Sequence, residues 1–121
     1  MFNPPPKDAL EKLPPLYAND KAETALEDTI LHLHLFVSAC NWWIAEFDSD
    51  DIFWGFANLG DDECAEWGYI SFSELKSIAG TARLIDASTG ELTGRLPLFV
   101  EWDESWRPKP FRDTQWRKRA E

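Results

Sequence analysis

Apolar and polar residues alternate most regularly over residues 29–39. Leu31, Leu33, Leu35 and Val37 take one side, and Ile30, His32, His34 and Phe36 the other. A period of two predicts a β-strand with its leucine face on a core. Residues 41–78 form the block around which the rest is arranged. Within it, residues 42–47 (WWIAEF), 52–59 (IFWGFANL) and 65–70 (AEWGYI) predict three further strands. Asp48-Ser49-Asp50-Asp51 and Gly60-Asp61-Asp62-Glu63 separate them. Short Asx and Ser side chains bond nearby backbone, so both stretches predict turns. Ser71-Phe72-Ser73-Glu74 has capping-box spacing, which predicts a helix over residues 72–79 stopped by Gly80. Four strands joined by turns, without helical crossovers, predict an antiparallel meander.

The flanks are less regular. Residues 81–87 and 91–95 predict strands around a Ser88-Thr89-Gly90 turn, followed by an apolar stretch at 96–102. Pro97 marks that stretch as an edge or a strand start. Such an edge could pair across a homodimer, so monomer and homodimer both stay open. Residues 106–111 predict an extended closing segment. Three prolines at 4–6 and two at 14–15 predict an extended arm around helical turns at 8–12 and 22–27. The expected fold class is α+β: a single small domain whose antiparallel sheet of about five strands carries one main helix. Its expected parts are a Pro-rich, charged arm (1–28), a core (29–111) and a basic tail (112–121).

The length of 121 residues suits one domain. No apolar run approaches the roughly 20 residues of a membrane helix, and the N-terminus has no basic-then-apolar leader. A cytoplasmic location is the expectation. Cys40 and Cys64 are too few for a disulfide framework and predict reduced thiols. Seven tryptophans and eight phenylalanines are a heavy aromatic load, most of it expected in the core.

Charge changes the picture more. The net charge is −10, unevenly placed: residues 1–106 hold 6 Lys/Arg against 20 Asp/Glu, and residues 107–121 hold 6 against 2. Direct nucleic-acid binding by the acidic body is therefore not expected, because phosphate affinity comes from cationic groups. The cluster Arg107, Lys109, Arg112, Arg117, Lys118 and Arg119 is expected to fold back on the body; nucleic-acid binding through it is an alternative.

His32 and His34 stand two apart, pointing both rings one way, and with Glu46 they form a weak candidate for a metal-dependent enzyme site. Solvated turns or strands explain them as well, so no metal or cofactor is expected. Asp48 to Asp51 lacks the glycine and terminal glutamate of an EF-hand loop. Neither cysteine has a recognisable catalytic neighbourhood, and no phosphate loop or nucleophile elbow is present. No catalytic residue is nominated. The acids Glu46, Asp48, Asp50, Asp51, Asp61, Asp62, Glu63 and Glu66, with Trp54 and Trp67 as anchors, are instead candidates for docking on a basic protein. A solubilising acidic face is the plainer alternative.

The run WWIAEFDSDDIFWGF, then EWGYISFSELKSI, then LPLFVEWD with RPKPF resembles a family catalogued as domain of unknown function 2958. The opening Leu13-Pro14-Pro15-Leu16-Tyr17-Ala18 is similar too, so the resemblance covers Leu13 to Phe111. Glu101-Trp102-Asp103 departs from it, since the family has arginine between the two acids. The resemblance implies a setting on plasmids, phages and integrated elements and supplies no catalytic residue. With the acidic face, it leads to the expectation of a non-enzymatic protein of a mobile element. Such a protein would block a host nucleic-acid-handling or defence complex, in the manner of anti-CRISPR and anti-restriction proteins, by a nucleic-acid-like negative surface.

Overall fold

The computed structural model describes residues 4–114. The strand expected at 29–39 is broken at His32 into β1 (Ile30–Leu31) and β2 (Leu33–Val37). Then come β3 (Cys40–Phe47), β4 (Ile52–Asn58) and β5 (Glu66–Ser71). β6 (Ala79–Ile85) and β7 (Leu92–Phe99) form a separate hairpin, and β8 (Glu101–Trp102) and β9 (Lys109–Pro110) are short. The main sheet has five antiparallel strands in the order β5-β4-β3-β2-β8. It departs from a plain meander because β8 returns after the β6–β7 hairpin to pair with β2, while β1 pairs with β9. The apolar stretch 96–102 is thus not one strand. It divides at the fully buried Val100 into the hairpin and the sheet edge.

Helical structure is spread over α1 (Lys7–Glu11), α2 (Ala18–Lys21) and α3 (Phe72–Ser77) rather than gathered in one helix. The expected turn at 22–27 is replaced by α2 and a 3-10 turn at Leu26–Asp28. α3 starts where the capping box places it, with Ser71 Oγ accepting from Glu74 N at 3.2 Å. It ends before Gly80: Ile78 is already extended and Gly80 lies inside β6.

A bulge in β3 sets what each face of the sheet carries. Opposite β4 the register runs Ile44↔Gly55 and then Glu46↔Trp54, leaving Ala45 as the extra residue. Trp42, Ile44 and, beyond the bulge, Phe47 pack with Leu33, Leu35, Phe53, Ile70 and Val100. Phe72 and Leu75 of α3 and Leu10 and Leu13 from the N-terminal segment cover this helical face. Trp43, Ala45 and Phe56 lie on the other, aromatic face with Phe111, Trp54, Trp67 and Trp106. Leu31 also belongs there, not with Leu33 and Leu35, since the break at His32 interrupts the alternation. Residues 4–28 are no free arm. Leu13 is buried, and the Pro14 carbonyl accepts from Phe47 N at 2.9 Å.

Candidate functional site

The aromatic face is built by cross-strand pairing. Trp54 opposes Tyr69, Phe56 opposes Trp67, and Trp43 opposes both Phe56 and His34. Trp54 and Trp67 stack at 5.9 Å between ring centres, and Trp54 meets Tyr69 at 5.1 Å. Trp67 packs on Phe56 and Phe111. Both tryptophans are therefore half-buried parts of a ladder rather than protruding anchors.

Glu46 is the residue whose surroundings differ most from expectation. As the first residue past the bulge it faces this ladder, yet it is only 3% exposed. Its Oε1 accepts from Tyr17 N (2.9 Å), and its Oε2 accepts from Asn19 N (2.9 Å) and Asn19 Nδ2 (2.6 Å). The carboxylate thus clamps the start of α2 to the sheet and holds Tyr17 at a φ of 70°, a region bulky residues avoid. It is not a residue of the outer acidic surface. Around it lies a pocket of about 440 Å3 lined by Glu46, Asp20, Tyr17, Trp54, Tyr69 and Thr24, among others. The Tyr69 hydroxyl is held above its ordinary pKa, first by its hydrogen bond with Tyr17 and also by the charges of Glu46 and Asp20.

The other predicted acids divide by what they touch. Asp48 Oδ1 accepts from the backbone N–H of Asp50 and Asp51 at 2.8 Å and of Ile52 at 3.0 Å. Those bonds, Ile52's foremost, lower its pKa. Asp51 accepts from Ser71 Oγ at 2.8 Å and Ser73 N at 2.7 Å, ties the turn to α3, and is lowered in pKa for the same reasons. Asp61 caps the 3-10 turn Asp62–Cys64 by accepting from Glu63 N, and Asp62 accepts from Asn58 Nδ2. Asp50, Glu63 and Glu66 are exposed, and their carboxylates point to no described partner. The two acidic turns lie at opposite ends of β4, about 20 Å apart at the usual rise of a strand, and do not form one patch.

His34 sits at the far end of the aromatic face. Its Nδ1 pairs with Asp103 Oδ2 and its Nε2 with Asn41 Oδ1, each at 2.8 Å, and its ring stacks on Trp43 at 5.0 Å. Asn41 Nδ2 donates to the Ala39 carbonyl, which turns its oxygen toward the histidine. Burial raises the Asp103 pKa, but the bonds from His34 and Ser105 outweigh it and leave the carboxyl below its ordinary value. His34, Asn41, Trp43, Asp103, Trp106 and Lys109 line a second pocket of about 480 Å3. His32 lies off the strand ladder, with its pKa lowered by burial. Among the described residues no group of three or more His, Cys, Asp or Glu side chains could hold a metal ion. His32, His34 and Glu46 are thus not brought together as one site.

In the basic segment, Arg112 pairs with Asp28 and Lys109 lies over the Trp106 ring at 4.5 Å. Arg117, Lys118 and Arg119 lie outside the described residues. No described helix is long and apolar enough to cross a membrane. Sequence reasoning missed Tyr17, Asn19, Asp20, Tyr69, Asn41 and Asp103. Only Asp103 carried a signal, as the second acid of Glu101-Trp102-Asp103. Tyr17, Asn19, Asp20 and Tyr69 converge through the bulge and the packed N-terminal segment, and Asn41 reaches His34 through the β2–β3 pairing, none of which a local pattern shows. No curated protein and no solved structure matches the chain. A family model described as a protein of unknown function (DUF2958) matches residues 10–105, most of the chain, and the protein belongs to that family.

Proposed function

We propose that this is a non-enzymatic protein that docks on a basic protein partner through the aromatic face and the acids at its ends. The observation that supports it most is the half-exposed ladder of Trp54, Tyr69 and Trp67 between two acidic turns. Aromatic rings supply contact area at small entropic cost, and flanking carboxylates steer a cationic surface onto them. A host nucleic-acid-handling or defence protein, whose function requires a cationic groove, is the partner class that fits this chemistry and a mobile-element setting. The acids available for contact are Asp50, Glu63 and Glu66, because Glu46, Asp48, Asp51, Asp61 and Asp62 hold the fold. Asp50→Lys, Glu63→Lys and Glu66→Lys together should abolish capture of a cationic nucleic-acid-handling protein from host lysate. The circular dichroism should stay unchanged. Equal capture by the folded triple variant would overturn this reading.

A further inference from the structure

We propose that the pocket around Glu46 binds a single cationic side chain, the guanidinium or ammonium of an arginine or lysine presented by a partner protein. Glu46 is 3% exposed, and its described partners are the neutral donors of Tyr17 and Asn19. The ion pairs among described residues join Lys7 to Glu11 and Arg112 to Asp28, and His34 is hydrogen-bonded to Asp103; none reaches Glu46. Buried carboxylates are usually matched by a cation, because an unbalanced charge in a low-dielectric site is costly. Three donors leave at least one lone-pair direction of this carboxylate unused, and it lines an open pocket.

The rest of the lining suits a cation. Asp20 adds a second carboxylate, no lysine or arginine is present among the described lining residues, and Trp54, Tyr17 and Tyr69 supply aromatic walls. Aromatic faces attract organic cations, most of all where water is partly excluded. At about 440 Å3 the pocket falls in the range that takes a complete long side chain rather than a bare ion. Tyr17 and Tyr69 are 54% and 59% exposed, so they stand at the mouth of the pocket.

This inference rests on the partner being basic, as proposed above, but not on Asp50, Glu63 or Glu66. The probes are acetyl-Gly-Arg-Gly-amide, its lysine counterpart and its uncharged citrulline counterpart. Each is titrated while the Trp54 indole N–H resonance is followed. Arginine or lysine peptide should give a saturable shift that citrulline does not. Trp54→Ala and Asp20→Asn, read from other pocket resonances, should each weaken binding about tenfold, in line with one cation–π or charge contact. Glu46→Gln should abolish binding; if that variant does not fold, the other two carry the test. Citrulline binding as well as arginine, or no saturation by either cation, would overturn the inference. The Asp50, Glu63 and Glu66 variant should bind the peptides normally. Loss of peptide binding there would reduce the effect to general charge attraction and likewise overturn the pocket. Loss of partner capture alone would bear only on the outer surface.

Discussion

A methyl group on Gly55 would lie 2.0 Å from the Trp43 carbonyl oxygen, which is backbone and cannot rotate away. Gly55 stands opposite Ile44, beside the bulge in β3. Gly55→Ala should therefore cost about 3 kcal/mol, at the upper end of overpacking effects, read as a lower urea midpoint. Glu46→Ala should cost about 2–4 kcal/mol, because it leaves Tyr17 N and Asn19 N without their acceptor. Proteolysis should then cut first near α2. His32 sets a pH dependence. Burial holds its pKa below the ordinary 6.5, so the unfolded chain binds the proton more readily. Its contribution to stability is present above pH 6.5 and is lost as pH falls toward the folded value. The unfolding midpoint should drop between pH 7.5 and 5.5, and His32→Gln should flatten that step. Asp48 and Asp51, also lowered, add a separate loss as pH falls below 3.8.

Among the elements, β6 and β7 stand apart. They pair with each other and with no strand of the main sheet, and Leu84, Ile85, Leu92 and Leu96 are exposed along them. Arg83 lies directly opposite Arg95, a like-charge pair that weakens a ribbon. Replacing residues 81–97 by a Gly-Gly link should leave the Trp43 and Trp54 environments unchanged in near-ultraviolet circular dichroism. Loss of that signal would show that the hairpin supports the core. The elements with strong local signals were legible from sequence: β3, β4 and β5 with their Asx turns, and the Ser71 start of α3. β1 was not, because the break at His32 leaves the apolar–polar pattern of 29–39 unchanged. The end of α3 was also missed. Gly80 resembled a stop, but the chain leaves the helix at Ile78 to enter β6.

At the scale of the molecule, the charge of −10 divides into acids that fix turns, acids that face solvent, and one carboxylate enclosed behind the N-terminal segment. Sequence counts the three kinds alike. Only packing separates them, which is why no sequence pattern could set the enclosed Glu46 apart from the acids of the two turns. Association with a basic partner should slow steeply as ionic strength rises from about 0.05 to 0.5 M, while dissociation changes little. Equal association rates at both salts would mean that the acidic surface does not steer encounter.

The extra residue at Ala45 acts as a phase shift in an even–odd code. Before it, even-numbered side chains belong to the helical compartment; after it, odd-numbered ones do. Had the strand kept strict alternation through Ala45, the next two residues would exchange faces. Glu46 would then be driven toward Phe53 and Phe72, and Phe47 into the pocket. Sequence and strand shape are therefore matched: a carboxylate at 46 followed by a phenylalanine at 47 suits only a strand that bulges at Ala45.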